Sequence, residues 1–314
     1  MKKLTGTWFE FHHHNQPEGV YWNPACAAFT DAQWREKVSE IASLGMKYIV
    51  LMCTALYDKA FFKTDIYDRF ELQAVDPIEA LLSQADAEGI KVFMGAGVYG
   101  DWTHTYENMT SPEVTKRAFR AMEQLFALYG THESFYGWYL PDEEWINGWY
   151  GEDFIKYINL YTAEARKYRS DFKNIIAPYG TKDAVPDDKF VAQLEKIDID
   201  FVAYQDEVGV RKSTPLVTPG YYEGLRKAHD KAGRSRLWVD MEVFEFESEV
   251  YRSALIPASI DRIKTQIEAV SPYADEILIY QYLGLMNKPG TGAFCGHPGS
   301  EKLYTDYLEL SKSL

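Results

Sequence analysis

Carboxylate side chains are concentrated at two points of the sequence where an apolar, strand-like run ends. Asp142, Glu143 and Glu144 follow the run FYGWYL, and Asp240 and Glu242 lie at the end of the run RLWVDMEV. Adjacent carboxylates repel one another, and burying any of them is costly. Two carboxyl groups that face one another can hydrolyse a glycosidic bond, one as the acid that protonates the leaving oxygen and the other as a nucleophile or base. We therefore take Glu143 and Glu242 as the candidate catalytic pair.

The alternation of side chains along a strand favours one carboxylate over its neighbours at each point. Glu242 shares a face with Asp240, opposite an apolar face that suits packing against helices. Glu143 shares a face with Gly137, whose small size suits a crowded interior, so Glu143 is preferred to Glu144. Burial and neighbouring charges are expected to raise the pKa of the acid and keep it protonated near neutral pH.

Polar and aromatic side chains follow the other strand-like runs as well, and they are the candidates for binding a sugar. Aromatic residues make up 15% of the chain, and several tryptophans lie in polar connections, where core packing alone would not place them. Flat rings can stack on the C–H faces of a sugar, while carboxylates, amides and imidazoles can hold its hydroxyl groups. The candidate substrate-binding residues are Glu10, His12, His14, Tyr99, Trp102, Trp145, Tyr179, Gln205, Asp206, Asp240, Gln281 and Tyr282.

Three consecutive histidines raise the question of a metal site. His12 and His14 share a strand face, which is the spacing of metal-dependent amidohydrolase barrels. That chemistry needs ligands on later strands too, and the runs NIIAPY, DFVAYQ and EILIYQYL contain no histidine. We therefore expect no catalytic metal and no cofactor, and a substrate-facing histidine instead. An open alternative is a sugar isomerase whose divalent ion is held by oxygen ligands, namely Glu143, Asp206, Asp240 and Glu242.

The composition limits the class of partner. The 314 residues carry a formal net charge of −14, so we expect a small carbohydrate and neither nucleic acid nor a membrane surface. No apolar run approaches the roughly 20 residues of a membrane span. The start, MKKLTGTWFEF, lacks the apolar segment of a signal peptide, which favours the cytoplasm unless the chain is a trimmed mature form. The three cysteines are far apart and suggest neither a disulfide framework nor a zinc site. The oligomeric state is left open.

The elements that would position these residues alternate regularly along the chain. Eight short apolar runs are typical of buried strands, and each is followed by a connection and a longer helical pattern. Helix starts are predicted at Thr30, Pro77, Ser111 and Pro257. A doubly wound sheet would want a glycine-rich phosphate turn after the first strand, where this chain has HHHNQPEG. The pattern predicts an α/β fold, a single (β/α)8 TIM barrel over residues 1–314 with elaborated βα loops at the strand ends.

Five segments in order, GWYLPDEEW, IAPYG, AYQDEVGV, LWVDMEVFEFE and IYQYLG, resemble a bacterial TIM-barrel family described as domain of unknown function 4434. The layout is also similar to that of the retaining barrel glycosidases, which carry the acid/base on strand four and the nucleophile on strand seven. This resemblance implies that Glu143 is the acid/base and that Glu242 is the nucleophile. Those glycosidases usually carry asparagine just before the acid, and this chain departs from them with Asp142.

The expected function is therefore a glycoside hydrolase of the retaining type that acts on a neutral oligosaccharide or glycoside. A non-catalytic carbohydrate-binding barrel is the alternative from another class, since it would keep the aromatic residues and tolerate the loss of either glutamate. The acidic segment EFESEV is interpreted as a solvated surface outside the site. The sugar, the linkage and the mode of attack along a chain are left open.

Overall fold

Eight parallel strands close into a barrel in the computed structural model, which describes residues 1–314. Each strand pairs with the next one in the chain, and the last pairs with the first. The predicted (β/α)8 TIM barrel is confirmed. The strands are β1 (Gly6–Phe9), β2 (Tyr48–Leu51), β3 (Lys91–Gly95), β4 (Phe135–Tyr139), β5 (Lys173–Ile176), β6 (Phe201–Gln205), β7 (Arg236–Glu242) and β8 (Glu276–Tyr280).

One outer helix follows each strand. These helices are α1 (Asp31–Ser43), α2 (Pro77–Glu88), α3 (Pro112–Tyr129), α4 (Glu152–Tyr168), α5 (Asp188–Lys196), α6 (Thr218–Ala232), α7 (Ile260–Val270) and α8 (Ser300–Ser311). None of the helices combines the length and the apolar character that crossing a lipid bilayer requires.

The longest connections run from a strand to its helix, at the C-terminal end of the barrel. They contain small elements of their own: the helices Asn23–Ala27 and Thr105–Thr110, the 3-10 turn Thr181–Asp183, the three-stranded sheet of Ala55–Leu56, Lys59–Ala60 and Asp68–Arg69, and the hairpin of Phe244–Phe246 with Leu255–Pro257. The returns from helix to strand are only a few residues long. The additional structure therefore lies at the end where barrel enzymes build their sites.

Five of the eight outer helices begin after a residue whose side chain caps them. The Thr30 side chain accepts the backbone N–H of Gln33 in the first turn of α1, and the Ser111 side chain accepts that of Val114 in α3, as predicted. The predicted helix start at Pro257 is wrong, because Pro257 ends the second strand of a hairpin. Helix α7 begins three residues later, after Ser259, whose hydroxyl accepts the backbone N–H of Arg262.

Two apolar layers fill the barrel. A cluster of 83 buried residues packs the strands against the helices, and a separate cluster of 10 residues fills the barrel interior. The interior layer is rich in rings, and Phe201 stacks on Trp238 with centroids 4.1 Å apart. Trp238 and Tyr139 lie in this layer, so the residues that follow them on the same strand faces, Asp240 and Glu143, lie above it at the barrel mouth.

Candidate active site

A cleft with two adjoining compartments opens at the C-terminal end of the barrel. The first, which we call the carboxylate compartment, has a volume of about 350 Å³ and is lined by five acids, Glu18, Glu143, Glu207, Asp240 and Glu242. The second, the apolar compartment, has a volume of about 420 Å³, and its wall includes Met52, Leu56, Val98, Trp102 and Pro141. The residues that line both compartments are His14, Met52, Glu143 and Tyr179.

Glu143 lies at the boundary between the compartments, four residues after Tyr139 on the interior face of β4. The Tyr139 hydroxyl donates a hydrogen bond of 2.8 Å to its Oε1, and the Gln205 side-chain amide donates one of 2.7 Å to its Oε2. Burial raises the pKa of Glu143 to about 7, although these two hydrogen bonds oppose the shift. A carboxyl group of this kind holds a proton near neutral pH and can give it up to a leaving group.

The two acids beside Glu143 are engaged elsewhere. The Glu144 side chain turns back and accepts the backbone N–H of Gly151, where α4 begins, at 2.9 Å. The Asp142 carboxylate is buried and accepts a hydrogen bond of 3.1 Å from the Asn108 amide. Asp142 contributes to the wall of the apolar compartment, and Glu144 contributes to neither wall. Of the three adjacent carboxylates, Glu143 is therefore the one that reaches the carboxylate compartment.

Glu242 is the last residue of β7 and lies in the wall of the same compartment. Its Oε2 accepts the backbone N–H of Val210 at 2.8 Å. Burial raises its pKa to about 8, and the neighbouring acid Asp206 adds to the shift. The strand end is fixed from behind by Asp206, which accepts the backbone N–H of Glu242 at 3.1 Å and the amide of Gln266 at 2.7 Å.

Asp240 lies two residues before Glu242 on the same face of β7, at the floor of the compartment. Its side chain is only 2% exposed, and its Oδ1 is buried without a hydrogen-bond partner. Burial raises the pKa of Asp240 well above its ordinary value, and the charges of Glu143, Glu242 and Asp206 act in the same direction.

Lys212 supplies a positive charge to the wall of this compartment. Its Nζ lies 3.9 Å from Glu207 Oε1, and 5.5 and 5.7 Å from the ring centroids of Tyr179 and Tyr251. Lys212, Glu207 and Tyr251, like Glu18, come from βα loops and were not among the predicted site residues. Loop residues have no periodicity that would reveal which way they face, so the sequence does not predict which of them reach the cleft.

A chain of three charged side chains fixes the first βα loop beside the cleft. His13 Nδ1 lies 2.8 Å from Glu10 Oε1, and His13 Nε2 lies 3.0 Å from Glu18 Oε2. Although burial lowers the pKa of His13, the two carboxylates raise it to about 9. Although burial opposes the shift, His13 lowers the pKa of Glu10 to about 2. The imidazolium is thus held between two carboxylates, and Glu18 presents its outer edge to the compartment.

The same residues include a potential metal site. The donor atoms of Glu10, His13 and His14 lie within 4.8 Å of one another, and they form the one such group of three in the structure. A metal ligand has to be deprotonated, and both ring nitrogens of His13 are already taken by carboxylates. These residues therefore do not fit a metal ion as they stand.

The predicted binding residues divide into two groups. Those that line the cleft are His14, Trp102, Tyr179, Gln205 and Asp240. The ring of His14 packs against the edge of Trp102, with centroids 4.6 Å apart, and burial lowers the pKa of His14 to about 3, which leaves it neutral.

The other predicted binding residues do not reach the cleft surface. Glu10, Asp206 and Gln281 lie behind it, where Gln281 donates to Glu10 at 2.6 Å. The Tyr99 hydroxyl lies 2.9 Å from the Thr54 hydroxyl. The Tyr282 hydroxyl reaches outwards to Glu40 on α1 at 2.6 Å, because the strand alternation does not continue beyond β8.

His12 and Trp145 belong to loops outside both compartments. The His12 ring packs on Phe70, with centroids 4.9 Å apart. Trp145 is 48% exposed, and its indole N–H donates to Asp183 at 3.0 Å. Neither side chain is placed to contact a ligand that the cleft encloses.

The fold is shared with several glycoside hydrolases of known structure. A Bacteroides thetaiotaomicron protein, assigned provisionally as an alpha-L-fucosidase, aligns with a TM-score of 0.78 and 15% identity over 99% of this chain and 93% of its own. The endo-1,4-beta-mannanase of Rhizomucor miehei aligns with a TM-score of 0.60 and 11% identity over 99% and 95%. The endo-beta-1,4-mannanase of Thermotoga petrophila aligns with a TM-score of 0.62 and 10% identity over 98% and 77%. At these identities the likeness is one of fold.

Sequence comparison identifies a family but not an activity. No curated protein matches the chain significantly. Residues 4–293 match the family model described as Domain of unknown function (DUF4434), so the chain belongs to this family.

Proposed function

We propose that this member of the DUF4434 family is a glycoside hydrolase of the retaining type, with Glu143 as general acid/base and Glu242 as nucleophile. The observation that carries the proposal is that two glutamates, the half-buried Glu143 shortly after β4 and the buried Glu242 at the end of β7, line one compartment. Retaining hydrolysis requires two such carboxyl groups about 5–5.5 Å apart. The glycoside hydrolases that share the fold support the same class of reaction.

The two compartments divide the substrate at the bond that is cleaved. Glu143 lines both, so an acid at this position can protonate an oxygen that joins a group in one compartment to a group in the other. Glu242 lines only the carboxylate compartment, which therefore takes the sugar ring that is attacked. In this proposal Tyr179 and Gln205 contact that ring. The leaving group occupies the apolar compartment, where it meets the indole of Trp102.

The proposed roles require the proton to shift from Glu242 towards Glu143 on the way to the transition state. The pKa of Glu242, about 8, lies above that of Glu143, about 7, whereas a nucleophile has to be ionised while the acid keeps its proton. The reacting sugar develops positive charge next to the nucleophile, and this charge favours the ionised form of Glu242. A leaving oxygen beside Glu143 accepts a hydrogen bond from the carboxyl group and so favours its protonated form.

The dependence of the rate on the leaving group tests this assignment. With a series of alkyl and aryl glycosides, Glu242→Gln is expected to abolish turnover of all members. Glu143→Gln is expected to slow glycosides with poor leaving groups by the 10²–10⁴-fold typical of lost general acid catalysis and activated aryl glycosides much less. Glu144→Gln is the matched control, because the Glu144 carboxylate accepts the backbone N–H of Gly151. This variant should leave the dependence on the leaving group unchanged.

Two outcomes would contradict the assignment. If Glu143→Gln slows good and poor leaving groups equally, or if Glu242→Gln shows the leaving-group dependence instead, the two roles are wrong or exchanged. The stereochemistry is checked separately by proton NMR of the first product. Appearance of the opposite anomer would show inversion and would remove the nucleophilic role of Glu242.

A further inference from the structure

The floor of the carboxylate compartment holds an acid that the proposed mechanism does not use. Glu143 and Glu242 suffice for hydrolysis, yet Asp240 lies beside them, 2% exposed, with its Oδ1 buried and unpaired. A buried polar atom without a partner costs free energy, on the order of 1–3 kcal/mol. The Asp240 carboxyl group also lines the compartment, so a group of a bound ligand can lie against it.

The other charges of the wall are not free to provide that partner. Glu207 accepts the backbone N–H groups of Gly180 and Thr181, both at 3.1 Å, and is the acid closest to Lys212. Arg262 points to the back of β7, where its guanidinium donates to the carbonyl of Glu242 at 2.8 Å. The wall therefore leaves Asp240 without a cation of its own.

The charges around Asp240 indicate which chemical group of a ligand would bind to its carboxyl group. The charged groups that act on Asp240 are Glu143, Glu242 and Asp206, and all three are acids. The charge of Asp240 also contributes to raising the pKa values of Tyr139, Tyr222 and Tyr280, which burial already raises. A sugar hydroxyl would satisfy one oxygen but leave this concentration of acid uncompensated. An ammonium group offers three N–H donors and a full positive charge.

We propose that the sugar bound in the carboxylate compartment carries a free amino group, and that Asp240 binds its ammonium. The inference rests on the proposed function for the statement that the ligand is a sugar. It replaces the neutral substrate expected from the sequence with a cationic one of the amino-hexose class. Acetylation of the amine would remove both the charge and two of the three donors, so the N-acetylated sugar is excluded.

Isothermal titration calorimetry with the full chain tests the proposal without requiring turnover. The probes are glucosamine, galactosamine and mannosamine, each compared with its N-acetyl derivative and with the parent hexose. At least one amino sugar is expected to bind ten-fold or more tightly than its two neutral counterparts. Equal affinity within each set, or preference for the neutral sugars, would overturn the inference on the wild-type protein alone.

A conservative variant identifies the residue responsible. Asp240→Asn keeps the shape, breaks no hydrogen bond of Oδ1, and is expected to fold with an unchanged or higher melting temperature. The affinity of this variant for the amino sugar should fall to within two-fold of its affinity for the neutral counterparts. The exposed loop variant Glu249→Gln, matched in the loss of one negative charge, should retain the preference. A preference that survives in Asp240→Asn would overturn the role of this residue.

Failure of this inference can be told apart from failure of the proposed function. Hydrolysis of neutral glycosides that depends on Glu143 and Glu242, without any preference for amines, would overturn the inference and leave the function standing. Binding of an amino sugar that depends on Asp240, with no turnover of any glycoside, would support the inference and remove the catalytic proposal.

Discussion

Replacing Glu143 by glutamine is expected to stabilise the folded protein, and to do so more at pH 8 than at pH 5. Burial raises the pKa of Glu143 from 4.5 to about 7. Below pH 4.5 the carboxyl group is protonated in both the folded and the unfolded chain and favours neither. As the pH rises towards 7 the unfolded chain loses its proton first, so the folded state loses stability over this range. Above pH 7 the full penalty is present.

The size of the effect follows from the difference of about 2.5 between the two pKa values. At 1.36 kcal/mol for each unit of pKa the penalty is about 3 kcal/mol at pH 8, and under about 1 kcal/mol at pH 5. Glutamine carries no charge and can keep both contacts, because its oxygen can accept from Gln205 and its amide can donate to the Tyr139 oxygen. The variant's free energy of unfolding should exceed that of the wild type by up to these amounts.

Urea denaturation at pH 5 and pH 8, followed by fluorescence and extrapolated linearly to water, measures both values. Glu249→Gln serves as the control, since an exposed loop substitution should stay within about 0.5 kcal/mol of wild type at either pH. A gain for Glu143→Gln that is the same at both pH values, or a loss of stability at pH 8, would refute the reasoning. It would mean that Glu143 is not a buried carboxyl group that keeps its proton.

Three further predictions concern the cleft and its supports. Trp102→Ala should weaken saccharide binding by roughly 1–3 kcal/mol in a fluorescence titration, whereas Trp145→Ala, outside the cleft, should leave the affinity unchanged. Weaker binding in Trp145→Ala together with unchanged binding in Trp102→Ala would exclude the apolar compartment as the site of the leaving group. His13→Gln should destabilise the fold by roughly 3–5 kcal/mol at pH 7, because it leaves two carboxylates without their cation. Since the pKa of His13 is raised to about 9, its contribution to the stability of the fold is fully present below pH 6.5 and is lost as the pH rises through 9. The difference in unfolding free energy between wild type and His13→Gln should therefore be smaller at pH 10 than at pH 7. A difference that is the same at both pH values would mean that His13 is neutral. A chelator should change neither the melting temperature nor any activity, and a fall in either would show that Glu10, His13 and His14 hold an ion after all.

The sequence was sufficient to predict the barrel because its periodicities are strong. The eight apolar runs are the eight strands, and Thr30 and Ser111 cap the helices as expected. Alternation also placed Glu143 and Asp240 on the interior faces of β4 and β7. The reason offered for Gly137 needs refinement, since an added Cβ would meet the carbonyl oxygen of Lys173 on β5 at 1.4 Å. The glycine is required by the neighbouring strand.

The site itself was less accessible to prediction, because much of it comes from loops. Alternation holds only while a strand lasts, so it could not show that Tyr282, two residues after β8, points outwards to Glu40. Lys212 and Glu207 meet because the loop after β6 turns back on itself, so that the backbone N–H of Lys212 donates to the carbonyl of Glu207 at 3.0 Å. No spacing in the sequence reveals such a contact, and the same holds for the ion pair of His13 with Glu18.

The closure of the barrel has a consequence for how the protein is made. The Thr7 hydroxyl on β1 bonds to the carbonyl of Ile279 on β8, 272 residues away, and β1 also pairs with β8 through its backbone. At a synthesis rate of 5–20 residues per second, the first strand waits roughly 15–50 s for its last partner to leave the ribosome. During that interval β1 can pair only with β2, and its other edge stays open. A nascent chain stalled before β8 should therefore bind chaperones and be cleaved by proteases near β1, and release of the last 40 residues should end both.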